Sequence, residues 1–307
     1  MRIAAIQSAP VFLDPEATTN KALELMRHAA TSGGAQLCAF GETYLSGYPV
    51  WLASTGGAAF DDPGQKAAYA AYVRGAVRAD GPELAAIAEA AKELGLFTYM
   101  GFIEKATTGT SVYASLAAIH PDDGIVSIHR KLRPTHEERL VWAQGDGHGL
   151  QVHDWNGFRV GGLNCWENWM PLARYSLYAQ GEQLHVATWP ASPGITRDIS
   201  RFVAREGRVY CLSVGSVLTA DDIPTSFPLR SQLLATGDRF LTGESMIVAP
   251  DGTTLVGPVE NIETIVYADL DRDLVVQERQ NFDPAGHYSR PDVFRVMVNK
   301  ARQEPID

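Results

Sequence analysis

This sequence predicts an α/β fold with mixed sheets, and three observations carry the prediction. Short apolar runs of strand length alternate with segments of helical spacing along the chain. Several of these runs flank Asp-Asp-Gly, Asn-Gly or Asp-Gly turns, so some strands pair as antiparallel hairpins. The chain has 307 residues, of which 45% are apolar, and neither a linker nor a low-complexity run divides it. That is enough for one layered unit, 1–307, with its own core.

Ile3 to Ile6 is the first expected strand, and Ala22, Leu25, Met26 and Ala29 then repeat at helical spacing before Gly33-Gly34. Gln36 to Phe40 is a second buried strand. Pro82 suits the first position of a helix and Gly95 its C-terminal cap, after which Leu96 to Ile103 returns as a strand. Val112–Ile119 and Ile125–His129 form one expected hairpin. Gln151–Asp154 and Phe158–Leu163 form another around Asn156-Gly157, a dipeptide suited to the left-handed turn that a two-residue hairpin needs. A helix from Pro171, a strand Leu184–Thr188, a helix Thr196–Glu206 and a strand Val209–Gly215 follow. Ser245–Val248 and Thr254–Val256 flank Asp251-Gly252, and Thr264–Leu270 is the last strand. The polar tail 281–307 is expected on the surface or against a neighbouring subunit.

Charge and composition narrow the function. Lys and Arg number 26 against 36 Asp and Glu, a net charge of −10, with no basic cluster to hold nucleic acid or an anionic membrane. Three dispersed cysteines make neither a disulfide framework nor a zinc pair. Before Gln7 the N-terminus offers only the short apolar run Ile3 to Ile6, far short of a signal segment. Gly47, Pro49, Gly56 and Gly57 break the uncharged stretch Thr43–Phe60. A soluble protein of a reducing compartment, the cytoplasm, is the expectation. Neither G-x-G-x-x-G after the first strand nor G-x-x-x-x-G-K-[ST] occurs, which weighs against a flavin, nicotinamide or P-loop nucleotide site.

Cys38 and Cys211 lie inside apolar strand runs and read as packing residues. Cys165 ends a strand just before a helix, where nearby N–H groups favour a thiolate; a packing cysteine and a nucleophile are both compatible with that position. Glu42 and Lys131 also fall at strand ends. Three such residues in one α/β unit can converge on one cleft. His129, His136 and His185 show no metal-ligand spacing, and no metal or organic cofactor is expected.

The segments Phe40-Gly41-Glu42-Thr43-Tyr44-Leu45-Ser46-Gly47-Tyr48-Pro49, His129-Arg130-Lys131-Leu132-Arg133-Pro134-Thr135-His136-Glu137-Glu138-Arg139 and Gly161-Gly162-Leu163-Asn164-Cys165-Trp166-Glu167-Asn168 resemble, in order, the three signature regions of the nitrilase superfamily. SLYAQGEQLHVATWP, Ser176 to Pro190, is similar to its nitrilase branch, and the resemblance runs from Ile3 to about Asn299. It implies an α-β-β-α sandwich in which Cys165 is the nucleophile, Glu42 the general base and Lys131 the cationic stabiliser. The second family glutamate falls on Glu138, with Glu137 beside it solvated. A thiolate suits a nitrile carbon, a weak electrophile, and a backbone N–H near Trp166 would help stabilise the developing charge.

The resemblance further implies a substrate wall of Tyr48, Trp142, Trp166, Trp189 and Pro190 around an aromatic, arylaliphatic or aliphatic nitrile. Tyr44 and Ser46 depart from the Trp and Pro the family often carries there. Residues 174–180 match a dimer contact, so a homodimer or higher homo-oligomer is expected. The expected reaction is hydrolysis of a nitrile to carboxylic acid and ammonia. The rivals are cyanide degradation, an amidase or carbamoylase reaction, and a non-catalytic scaffold.

Overall fold

A computed structural model describes residues 1–191 and 194–303. The first sheet begins with β1 (Arg2–Gln7), β2 (Leu37–Phe40), β3 (Phe97–Lys105), β4 (Val112–His120) and β5 (Gly124–Arg130). The second contains β6 (His153–Trp155), β7 (Phe158–Asn164), β8 (Leu184–Thr188), β9 (Tyr210–Val214), β10 (Val217–Thr219), β11 (Arg239–Val248) and β12 (Thr254–Glu260). The last strand, β13 (Thr264–Asp269), returns to the first sheet, which runs β13-β1-β2-β3-β4-β5. The second runs β10-β11-β9-β8-β7-β6, with β12 beside β11. Parallel strands form the middle of each sheet (β1–β3 and β7–β9), and antiparallel strands flank them.

The helices are α1 (Pro15–Thr31), α2 (Trp51–Ser54), α3 (Pro63–Arg74), α4 (Pro82–Leu94), α5 (Pro171–Tyr178), α6 (Ile195–Gly207), α7 (Arg230–Leu234) and α8 (Arg272–Arg279). The period of two along each strand sets the layers. Ile3 and Ala5 of β1 face the second sheet and join Leu37, Phe97, Val160, Val186 and Leu212 in the core between sheets. Ala4 and Ile6 face outward onto Met26 of α1 and Ile87 of α4. On the other side Ala187 and Cys211 meet Ile199 and Val203 of α6. This is the α-β-β-α sandwich. The Tyr99 hydroxyl crosses between sheets to donate to the Val160 carbonyl at 3.2 Å.

Local signals explain most boundaries. Gly95 caps α4 at φ 59°, and Asn156 and Gly157 turn the β6–β7 hairpin at φ 45° and 79°. Helices α2, α3, α7 and α8 go beyond the expected elements. Asp62 and Asp271 cap α3 and α8 through their side chains. The strand expected at Ser245–Val248 is longer, starting at Arg239. Among the described residues no helix is long and apolar enough to cross a membrane.

The part of the tail within 281–303 carries no helix or strand, and 304–307 lie outside the described residues. Arg302 pins its end to Asp146 at 3.1 Å and to the Ile128 carbonyl at 2.8 Å.

Candidate active site

Glu42, Lys131 and Cys165 each stand just past the end of a strand: β2, β5 and β7. The chain leaves β2 through Gly41, whose carbonyl passes so close to β3 that a Cβ on Gly101 would lie 2.1 Å from it. Two contacts then fix the turn: the Glu42 N–H donates to the Trp189 carbonyl at 3.1 Å, and the Leu45 N–H to the Gly101 carbonyl at 3.0 Å. Cys165 takes φ 50°, a left-handed conformation rare without glycine, and opens a 3₁₀ turn, Cys165–Trp169. The helix expected from Pro171 starts there as α5, and this 3₁₀ turn precedes it.

The three strand ends converge. The Cys165 Sγ and carboxylate oxygens of Glu42 and Glu138 lie within 4.8 Å of one another. Lys131 Nζ sits 2.9 Å from Glu42 Oε1 and 2.7 Å from Glu138 Oε2, so the cation in this cluster of potential ligands is an ammonium. Glu138 also accepts from the Tyr48 hydroxyl at 2.8 Å and the Thr135 N–H at 2.6 Å. Glu137, by contrast, is partly exposed and pairs with His136 at 2.7 Å.

Both Glu42 oxygens are buried without an aligned hydrogen-bond donor, so Lys131 acts on them through charge. Burial raises the Glu42 carboxyl from 4.5 to about 8; Lys131 opposes the rise and Glu138 adds to it. Burial likewise pushes the Cys165 thiol well above its ordinary value, against the pull of Lys131 and of the Trp166 N–H. Burial disfavours the Lys131 ammonium, but the combined attraction of Cys165, Glu42 and Glu138 raises it above its usual range. At neutral pH the thiol is neutral and the ammonium fixed, while the raised Glu42 carboxyl is a stronger proton acceptor in its ionised form, which grows as pH approaches about 8. Cys38 and Cys211 are fully buried, and burial pushes the Cys38 thiol up to about 12 and the Cys211 thiol higher still.

A cavity of about 400 Å³ opens onto Cys165 and Glu138. Tyr48, Trp166 and Pro190 line it, as expected from sequence; Val50, Ala191, Phe240 and Leu241 complete the apolar wall, and Glu137 and Arg239 add charge.

Trp142 and Trp189 depart from the expected wall. The Trp142 ring packs edge-on against Tyr48 and lies 5.1 Å from Lys131 Nζ, while its N–H donates to the Tyr72 hydroxyl at 3.0 Å. It backs the site rather than facing the cavity. The Trp189 side chain is buried on the outer face of the second sheet, with Ile199, Val203 and Met246. Tyr44 packs on Phe40 and Ser46 bonds the Gly75 carbonyl, so neither departure from the family pattern touches the cavity.

Sequence reasoning missed Phe240 and Arg239, because β11 comes far from the other walls in the chain. It also passed over Glu167, although Asn164-Cys165-Trp166-Glu167 carries the capping spacing. Asn164 and Glu167 stand in capping-box register, as do Thr135 and Glu138.

Residues 2–280 match the carbon-nitrogen hydrolase family. The chain is 38% identical to "Nitrilase 2" from an unknown prokaryotic organism, covering 99% of this chain and 94% of that one. It is 33% identical to an aliphatic nitrilase of Rhodococcus rhodochrous, over 100% of this chain and 81% of the relative. Among solved structures, a branch 10 member of the nitrilase superfamily from Saccharomyces cerevisiae aligns with a TM-score of 0.71 at 15% identity, over 94% of this chain and 96% of that one. A CN-hydrolase superfamily protein from Xanthomonas campestris aligns at 0.67 and 18%, over 93% and 95%. A match over nearly the whole length, reinforced by relatives above 30% identity, places the chain in the carbon-nitrogen hydrolase family.

Proposed function

We propose that this protein is a nitrilase, converting an organic nitrile and two waters to a carboxylic acid and ammonia. The observation that carries the reading is the convergence of the Cys165 thiol, the Lys131 ammonium and the Glu42 and Glu138 carboxyl groups beneath a cavity whose wall mixes Tyr48, Trp166, Pro190 and Phe240 with polar and charged residues. The relatives named nitrilase, aliphatic nitrilase and arylacetonitrilase support the substrate class.

In this mechanism Glu42 takes the Cys165 proton as sulfur bonds to the nitrile carbon. The displaced π electrons move to nitrogen, which gains a proton to give a thioimidate. Lys131 and the Trp166 N–H stabilise the charge building on nitrogen. Water then adds to the thioimidate carbon, with Glu42 or Glu138 steering the proton transfers, and ammonia departs to leave a thioester. A second water cleaves the carbon–sulfur bond, releasing the acid and returning the proton to Cys165. Tyr48, Trp166 and Pro190 hold the organic group.

On the same reading 1–307 acts as one cytoplasmic domain, and a second copy of the chain covers part of its surface. Support for the second copy lies where Leu172 and Tyr175 of α5 meet Phe282, Tyr288 and Phe294 of the tail, around an apolar hollow of about 370 Å³.

The test is release of ammonia, acid and amide from aromatic, arylaliphatic and aliphatic nitriles, cyanide and the matching amides. Acid and ammonia from organic nitriles support the proposal. Turnover of cyanide or amides alone overturns it in favour of a sister activity. Complete inactivity, without a substrate adduct at Cys165 by intact mass, supports the scaffold.

A further inference from the structure

The mechanism leaves unused one buried carboxylate two residues beyond the nucleophile. Glu167 is 1% exposed and does not line the cavity. Its Oε2 accepts from the Asn164 N–H at 2.9 Å and lies 3.0 Å from His129 Nε2. Its Oε1 accepts from the Leu132 N–H and lies 3.1 Å from the same His129 nitrogen. An ionised carboxylate only accepts, so His129 presents Nε2–H to it. Burial works against the charge, but His129 and the two backbone N–H groups hold the Glu167 carboxyl below its ordinary value.

These donors come from the two chain segments whose spacing matters. Asn164 immediately precedes Cys165, while His129 and Leu132 bracket Lys131. We propose that Glu167, through His129, Leu132 and Asn164, is a positioning residue that ties the Cys165 turn to the strand end carrying Lys131. One side chain thereby sets the separation between nucleophile and cation without touching substrate. The left-handed Cys165 needs such support, since its backbone conformation persists only where its surroundings impose it.

A second buried chain braces the other side of the turn. Asn168 Nδ2 donates to the Cys165 carbonyl at 2.8 Å, its Oδ1 lies 2.7 Å from His185 Nε2, and His185 Nδ1 lies 2.9 Å from Glu182. That chain holds the turn against its own sheet. Glu167 alone of the two reaches the Lys131 segment.

The inference rests on the roles proposed above for Cys165 and Lys131, and the experiment separates the two readings. Glu167→Gln keeps one acceptor oxygen but turns an NH₂ toward a backbone N–H, breaking one tie. In the folded variant kcat should fall about 100-fold while KM stays within about threefold, because misplacement harms the reacting geometry more than nitrile binding. Iodoacetamide labelling of Cys165, followed by peptide mass, should slow about tenfold. His129→Gln, which retains a side-chain N–H donor, should keep more of both rates than His129→Ala.

Met26→Ala, in α1 on the far side of the first sheet, controls for lost stability and should label like wild type. Wild-type labelling and turnover within about threefold in folded Glu167→Gln would overturn the proposal. So would an equal loss of labelling in Met26→Ala. If Glu167→Gln does not fold, the His129 pair decides: equal rates in His129→Gln and His129→Ala overturn it. If the wild-type chain turns over no nitrile yet labels at Cys165, the nitrilase reading fails while the labelling comparison still decides this one.

Discussion

Glu42→Gln should cut turnover and, at the same time, gain a stability advantage over wild type that grows as pH rises. The Glu42 carboxyl moves from 4.5 to about 8 on folding, chiefly because the sheet ends bury it. A carboxyl raised in the native state adds its full share of stability below 4.5 and loses it as pH climbs through about 8. Each pH unit between those values removes about 1.4 kcal/mol from wild type, hence up to about 4 kcal/mol between roughly pH 5 and pH 8. Glutamine has nearly the same shape and no charge to desolvate, so the variant escapes this loss. The gap in unfolding free energy, variant minus wild type, should therefore widen with pH and level off above about 8. Urea unfolding at about pH 5, 6.5 and 8 measures it, with ammonia release alongside. Turnover should fall by roughly 10²- to 10⁴-fold, the usual worth of a positioned base. A constant stability gap would mean that Glu42 ionises as an ordinary carboxylate. Activity within about tenfold of wild type would remove it as the proton acceptor.

Lys131→Met should cost about 10³-fold in kcat. It should also destabilise the fold by about 3–5 kcal/mol at about pH 8, where the buried Glu42 and Glu138 carboxyl groups lose the cation they share; urea unfolding showing less than about 1 kcal/mol would refute that electrostatic account. Trp189→Ala should cost about 3–5 kcal/mol yet leave the ranking of nitriles unchanged, since the ring packs in the core. Trp166→Ala should change that ranking with little loss of stability; the reverse pair of results would return Trp189 to the substrate wall. Gly101→Ala should lower kcat through the Glu42 turn, because the new Cβ meets the Gly41 carbonyl and the Thr43 N–H. Wild-type rates in that variant would show that the turn gives way without moving Glu42.

Much of the fold was legible because particular residues dictate local conformation. Pro82 and Gly95 bound α4, and Asn156-Gly157 accepts the left-handed turn that joins β6 to β7. Helix α3 had comparable signals, with Asp62 as cap and Pro63 opening the first turn, but the small residues around it hid the apolar face. The reactive trio was legible because a Glu, a Lys and a Cys at strand ends have few packing reasons to be there. The tryptophans were not. A ring of that size fills a core as readily as a cavity wall, and a two-residue strand period, invisible without the register, decides that Trp189 faces α6. Glu138 could have been separated from Glu137 by spacing alone: it stands three residues after Thr135, where a capping glutamate turns back toward the chain.

The capping geometry also shows how rigid elements place groups that sit on irregular backbone. Glu42 and Lys131 follow strands of the first sheet, whereas Cys165 follows one of the second. Their spacing therefore depends on how the sheets stack as well as on either sheet alone. The interlocked core fixes the stacking, and the Glu42–Trp189 backbone bond carries it to the ends of β2 and β8. Within each sheet, register does the rest: Phe40 pairs with Ile6 and Asn164 with Thr188. A one-residue slip in either pairing would exchange inward and outward faces and carry the following side chain away from the cleft. Glu138 and Glu167 then convert strand-end placement into side-chain placement, each satisfying the N-terminus of its own 3₁₀ turn while reaching another chain segment. The polar groups that close these turns are thus the same groups that bring the thiol, ammonium and carboxylates together, so substitutions there disturb local folding and chemistry through one set of bonds.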